Sequence, residues 1–326
     1  MLHADSARNR LTGIGLVSLC YLLFSLLDGS AKWLVGSLPV IVVVWLRFLT
    51  HVVIAGAVLL PMKGAALFST THWKWHALRA LMFVAMTGIN FWALQYLQLT
   101  VTSSIFFSVP LMIALASASM LGEKLDAGRW VAIVAGFVGV LVIIWPGGAG
   151  FHPAMLASVV NALLYAVFMM MTRRLAAYDS PETIQYLPAL GAAIGLAPFA
   201  LAAWQSPQGW LAWTVACLMG VLGGFGHYLL ALAHRYAPSS VIAPFLYQQV
   251  IYMAIFGYLV FGDVPSPGVW IGTPIVIASG LYLFARERAR ALARRSPSRC
   301  GWRSRQDSSH SGLSTSTCSC RRCAGS

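Results

Sequence analysis

The chain has 326 residues, of which 59% are hydrophobic and only 10% charged, with a mean hydropathy of +0.74. A soluble domain carries roughly 25% charged residues, so this composition excludes an ordinary wetted surface and puts most of the exterior in lipid. The net charge of +13 invites a nucleic-acid reading, but residues 286–326 alone hold ten Arg against two acids, so the excess is largely a basic tail and no nucleic-acid partner is expected.

A membrane-crossing helix needs about 20 mainly apolar residues. Stretches of that kind run near 11–29, 39–60, 78–97, 101–121, 128–145, 151–171, 184–204, 211–231, 239–261 and 269–285. They are continuously apolar, whereas barrel strands alternate over about 10 residues. The expected fold class is therefore an all-α integral membrane protein with ten transmembrane helices. The first stretch reads as an uncleaved helix, because it carries Asp28 and then Lys32 and a second span follows at once.

Basic residues fall in alternate loops. Arg8 and Arg10 precede the first span; Lys63, Lys74 and Arg79 lie around the second loop; Lys124 and Arg129 lie in the fourth; Arg173 and Arg174 follow span six and Arg235 follows span eight. The other loops hold only Lys32, and Arg47 lies inside a span. This is the positive-inside distribution. It predicts a multi-pass protein of the cell (inner) membrane with both termini cytoplasmic. Most of the twelve Trp residues sit at span ends, where an interfacial belt accounts for them. Cys20 and Cys217 fall within spans as small apolar residues. Cys300, Cys318, Cys320 and Cys323 lie in a Ser/Arg/Cys-rich tail with no apolar period, where disorder is expected and neither a disulfide nor a metal site is.

Residues 101–145 align with 241–285 at an offset of 140: Val101 with Val241, Gly122 with Gly262, Trp130 with Trp270, Leu141 with Leu281, and the acids Glu123 with Asp263. Each copy has an odd number of spans, so the second copy is inverted relative to the first. The expected organisation is a cytoplasmic N-terminus (1–10), a first five-helix repeat (11–146), a second (147–288) and a basic cytoplasmic tail (289–326). Inverted repeats of this kind place a binding site near the bilayer midplane, between the halves.

The stretches 94–145 and 236–287 share a small-residue helix start (Thr102-Ser103-Ser104; Ser239-Ser240), an apolar mid-helix block, a Gly-acid corner and a Gly-rich last helix. In these features the chain resembles the EamA repeat of the drug/metabolite transporter superfamily, over about 11–290. The resemblance implies a ten-helix inverted-repeat carrier of the cytoplasmic membrane. Its members export amino acids and other metabolites, or import compounds such as riboflavin, nucleotide sugars or S-adenosylmethionine.

Ionisable groups at bilayer depth cost at least about 2.5–3.5 kcal/mol on insertion scales, so they should face a cavity or a partner. Asp28 and Lys32 are four apart on one helix face and can pair, and a bond between Asp28 and Arg47, at a similar level, is sterically reasonable; a Lys32 that snorkels to the outer interface is the alternative. Asp28 and Arg47 are candidate substrate ligands; Asp28, Lys32 and His51 are candidates for an ion pair or a coupling proton. Uncharged polar groups complete the candidate set: Asn90 and Trp92 in span three, Asn161 and Tyr165 one turn apart in span six, and Tyr247, Gln248 and Tyr252 in span nine. Gln248 and Gln249 point about 100° apart, so at most one faces a cavity squarely. Pro110 and Pro244 lie within spans, where proline bends a helix. Three Gly-x-x-x-Gly spacings, at 191, 220 and 268, suit close helix contact; a homodimer is compatible with them but not specified by them.

No Gly-x-x-x-x-Gly-Lys-[Ser/Thr], His-Glu-x-x-His or Gly-x-Ser-x-Gly occurs, so neither ATP-driven pumping nor an enzyme is expected, and no cofactor or metal is called for. The reading is a secondary active transporter that moves a small polar or amphipathic metabolite, an amino-acid-like compound or a vitamin such as riboflavin, by alternating access. A polyspecific efflux pump is the alternative, with a membrane-embedded enzyme behind it.

Overall fold

The computed structural model describes residues 7–121, 126–144, 151–237 and 239–295. The tail 296–326 and the Gly122-Glu123-Lys124 corner lie outside the described residues. Residues Met1–Arg288 form one compact unit and Ala289–Ser326 a second, of which 289–295 are helical.

Every regular element among the described residues is helical. In chain order they are α1 (Ala7–Val35), α2 (Val40–Lys63), α3 (Trp73–Tyr96), α4 (Leu99–Phe106), α5 (Val109–Leu121), α6 (Ala127–Ile144), α7 (Pro153–Leu175), α8 (Pro181–Ala202), α9 (Gly209–Tyr236), α10 (Ser239–Ile242), α11 (Gln249–Phe261) and α12 (Pro267–Arg295). Short 3₁₀ turns at Gly64–Phe68 and Ala243–Gln248 follow α2 and α10. Nine helical stretches among the described residues are long and apolar enough to cross a membrane, and Leu99–Leu115 forms a shorter apolar one.

The helix starts follow local chemistry. At α7, Pro153 occupies the first turn and the His152 side chain accepts from the Ala154 N–H. At α8, Pro181 follows Ser180, whose side chain accepts from the Thr183 N–H, and Glu182 lies in the positive first turn. α11 stops at Gly262, whose φ of 68° suits a residue without Cβ. The Gly262 and Asp263 N–H groups return to the carbonyls of Tyr258 and Gly257.

Two of the expected spans are broken. The fourth divides into α4 and α5 around Phe107-Ser108, and Pro110 falls in the first turn of α5, where its missing N–H costs no helical bond. The ninth divides into α10, the 3₁₀ turn and α11, with Pro244 at the start of the turn. Hydroxyls cover carbonyls around the first break: Thr102, Ser103 and Ser108 donate to Leu99, Thr100 and Ile105 at 3.0, 3.1 and 2.7 Å. The prolines thus sit beside interruptions, not within kinked continuous helices.

The two halves are interleaved. α1 packs along α9, α2 against α8 and α9, and α3 against α7 and α8. Small residues permit this approach. A Cβ at Gly220 would fall 2.5 Å from the His51 amide of α2, and one at Gly272 would fall 2.5 Å from the Gly139 carbonyl of α6. The spacings at 220 and 268 therefore serve contacts inside the chain. The largest apolar cluster joins Leu34, Val42, Val43 and Phe48 of the first half to Ala189, Ala192, Met219 and Met253 of the second.

Candidate functional site

The central feature is a cavity of about 450 Å³ whose wall is built from both halves. That volume lies within the range of small-metabolite pockets, roughly 300–1,000 Å³. Most of its wall is aromatic or aliphatic. Phe24, Phe83, Phe91, Phe106, Phe168 and Phe284 face it with Tyr21, Tyr165 and Tyr247. The polar lining includes Asp28, Arg47, Thr87, Asn90, Thr102, Ser103, Ser158, Asn161, His227 and Gln249.

Asp28 (α1), Arg47 (α2) and Asn90 (α3) come together at this cavity. Asn90 Nδ2 donates to Asp28 Oδ1 at 3.0 Å. Arg47 is only 6% exposed, and its Nε and Nη1 are buried without a hydrogen-bond partner. The Phe48 and Phe83 rings lie 4.8 and 5.2 Å from its guanidinium carbon, so the cation is held by aromatic rings. Buried polar groups in folded proteins are nearly always bonded, and an orphaned guanidinium at a cavity wall is a donor in want of an acceptor. Asn161 Oδ1 is a second buried orphan on the same cavity.

Of the residues singled out in the sequence, Asp28, Arg47, Asn90, Asn161, Tyr165 and Tyr247 line the cavity. Tyr165 meets Phe106 edge-on at 4.8 Å and Tyr247 meets Phe107 at 5.2 Å. Trp92, Gln248, Tyr252, Lys32 and His51 do not line it. Trp92 instead meets Tyr96 edge-on. Gln248 Oε1 accepts from Ser18 at 3.3 Å. Tyr252 precedes the buried Met253 on α11, and His51 is buried one turn past Arg47, against Gly224.

Lys32 does not pair with Asp28. Its ammonium lies 3.1 Å from Asp263 and donates to the Leu97 carbonyl at 2.7 Å. The reason is geometric: Asp28 is turned into the cavity toward Asn90, and the left-handed cap at Gly262 presents Asp263 near the end of α1. Gln98 Nε2 donates to the Val264 carbonyl at 3.1 Å, so two side chains tie the first half to this corner of the second.

Cavity residues passed over in the sequence include Gln249, His227 and Tyr21. Gln249 was half visible as one of a pair. The segment before it, Ala243–Gln248, is 3₁₀, and Gln249 lines the cavity while Gln248 does not. His227 was marked only by being polar in mid-span; Phe24 meets it edge-on at 4.9 Å.

A second polar cluster lies away from the cavity. His76 Nε2 and Asp179 Oδ2 are 2.9 Å apart and buried, and Thr70 donates to the same oxygen at 3.0 Å. Arg79, expected in a loop, is 3% exposed because α3 begins five residues earlier than the apolar run suggests. It donates to the Ile184 carbonyl at 2.7 Å and to Thr172 at 3.0 Å, and its guanidinium carbon lies 4.4 Å from the centre of the Phe168 ring. This cluster also joins first-half to second-half elements.

Among known proteins, the EamA-like transporter family matches residues 11–145 and again 152–285. A riboflavin transporter of Vibrio cholerae is 32% identical over 222 residues, covering 66% of this chain and 72% of that protein. An S-adenosylmethionine uptake transporter of Rickettsia felis is 27% identical over 298 residues, covering 89% and 98%. A solved protein structure superposes with a TM-score of 0.59 at 20% identity over 88% of this chain and 99% of that one, a likeness of fold.

Proposed function

The chain belongs to the EamA-like transporter family, and from that premise we propose that it is a secondary carrier for a flat, heteroaromatic metabolite of the riboflavin type, working by alternating access. The family and the named relatives make it a metabolite transporter of a multi-pass membrane protein class. The observation that carries the finer reading is the cavity: ring-rich walls with one acid and one base, Asp28 and Arg47, whose formal charges cancel.

Ring walls favour a planar solute through offset and edge-to-face contacts. Charges that cancel favour one with no net charge. S-adenosylmethionine carries a sulfonium, and Arg47 stands against a cation there. The polar atoms around the rings supply the few placed hydrogen bonds that fix orientation in such pockets.

The cavity reaches from the level of Asp28 and Asn90 to that of Ile113, Leu230 and Phe284. The Lys32–Asp263 pair lies beyond Asp28 at the other end of α1. With both termini cytoplasmic, as the basic loops favour, Lys32 is on the outer side and its pair is a closed outer latch. Opening that latch and closing the opposite end exposes the same site to the other side.

The test is uptake of labelled riboflavin into proteoliposomes holding the purified full chain. Saturable uptake, competed by excess riboflavin and not by S-adenosylmethionine, supports the proposal. Uptake of S-adenosylmethionine with no uptake of riboflavin overturns the substrate assignment. Uptake of neither, nor of any planar ring compound, overturns the reading of the cavity.

A further inference from the structure

We infer that Arg47, Asp28 and Asn90 read an imide edge, the –CO–NH–CO– side of a substrate ring; this rests on the carrier reading above and deepens it. The inference starts from hydrogen-bond capacity. Asn90 has two N–H donors on Nδ2, and one is committed to Asp28 Oδ1. The second is free. Asp28 is acceptor-only when ionised and keeps Oδ2 and further lone pairs. Arg47 has donors with no partner and no acceptor capacity at all.

All three groups line the cavity, and together they hold a donor, an acceptor and a donor, with Asn90 bonded to Asp28. An imide presents the complement: carbonyl, N–H, carbonyl. The alloxazine pyrimidine ring, uracil and lumazine all carry this edge. The pairing edge of adenine carries one N–H donor beside one ring acceptor, which leaves a donor of the protein unmatched. Unmatched buried donors are what hydrogen-bonding sites discriminate by most strongly.

The surroundings fit an edge-on reader. Phe48 and Phe83 hold the Arg47 guanidinium, and its Nε and Nη1 have no other partner to satisfy. Phe83, Phe91 and Phe24, which also line the cavity, offer ring surfaces around the reading groups. A ring bound this way places its imide against Asp28 and its remaining body toward Tyr165 and Tyr247 of the second half.

The test compares riboflavin with N3-methylriboflavin as competitors of labelled riboflavin uptake, in proteoliposomes of the full chain. Methylation removes the one N–H that Asp28 accepts. The wild-type protein should prefer riboflavin by roughly 10- to 100-fold, the range for one hydrogen bond to a charged acceptor. In Asp28→Asn, which keeps the shape and loses the charge, that preference should fall several-fold; in Asp28→Ala it should approach one. The ratio is internal to each variant, so poor expression or partial folding cancels. A methyl group that merely clashed would leave the ratio unchanged in Asp28→Asn.

Equal competition by the two flavins in the wild type overturns the inference while leaving riboflavin transport standing. A full preference retained in both variants does so too. Failure of both flavins to compete or be transported removes the riboflavin-type substrate reading and this inference together.

Discussion

Reversing one charge of the Lys32–Asp263 pair should unlatch one face of the protein, and reversing both should restore it. At 3.1 Å, two unit charges attract by about 5 kcal/mol at an effective dielectric of ~20. The side chains are 16% and 21% exposed, so desolvation and solvent screening remove most of that gain. A net coupling of about 1–2 kcal/mol remains, which is roughly a 5- to 30-fold shift between latched and unlatched states. Lys32→Glu also leaves the Leu97 carbonyl without its donor, which pushes in the same direction. The assay is labelling of a cysteine at Ser103, on the cavity wall, by an impermeant maleimide applied from the Lys32 side, with the native cysteines replaced by serine. Lys32→Glu and Asp263→Lys should each raise the labelling rate, and the double variant should return most of the way to the parent rate. Single variants that label no faster refute the latch. So does a double variant that remains as open as either single one, because loss of packing would then explain the effect without the charges.

The other predictions are independent of that latch. Arg47→Ala should abolish transport while the protein still inserts, and Arg47→Lys, which keeps the charge but not the fork, should recover little; uptake per inserted molecule measures both. Asp179→Leu should lower the thermal midpoint in detergent by several degrees, since it strands His76 and Thr70 at a cost of about 1–3 kcal/mol each, with little change in substrate affinity for the surviving folded protein. Gly220→Leu should prevent accumulation of folded protein, because its side chain would meet the His51 amide on α2; normal yield would show that α2 and α9 can separate. Removing 296–326 should leave uptake unchanged.

Much of the architecture was legible because each span has to satisfy its backbone internally and present apolar side chains to lipid, a demand so severe that length and hydropathy alone expose it. The breaks at Phe107-Ser108 and 243–248 were less legible. Their residues are as apolar as those of the intact helices, and proline marks a disturbance without saying whether the chain bends or stops. Site residues divided along the same line. Asp28, Arg47, Asn90 and Asn161 were visible because a polar side chain in lipid needs a reason. The i,i+4 spacing that lets Lys32 reach Asp28 describes one helix and is blind to Asp263, delivered from the other half. Gln249 is not told from Gln248 by residue type, and no residue type announces the 3₁₀ turn before it.

The cavity itself bears on how one site serves two faces. Carried back to the earlier helices, the offset of 140 pairs Tyr21 with Asn161, Thr87 with His227, Thr102 with Ile242 and Ile113 with Met253, and both members of each pair line the cavity. The same offset pairs Asp28 with Phe168 and Asn90 with Leu230, again all on its wall. The scaffold is thus duplicated around the cavity while the chemistry is not. A repeated backbone is what the proposed alternating access requires of the two halves. Asymmetry of the side chains assigns the charged contacts to α1 and α2, and apolar surface, Phe168 and Leu230, to the counterparts of Asp28 and Asn90. On the proposed alternating-access reading, a solute held in this way stays with the first half while the second half rearranges around it. Loss of Arg47 should therefore weaken binding from both faces equally, whereas loss of the Lys32–Asp263 pair should change access from one face and leave binding itself intact. Equilibrium binding to Arg47→Ala and Lys32→Glu proteins, compared with labelling from each side, separates the two effects.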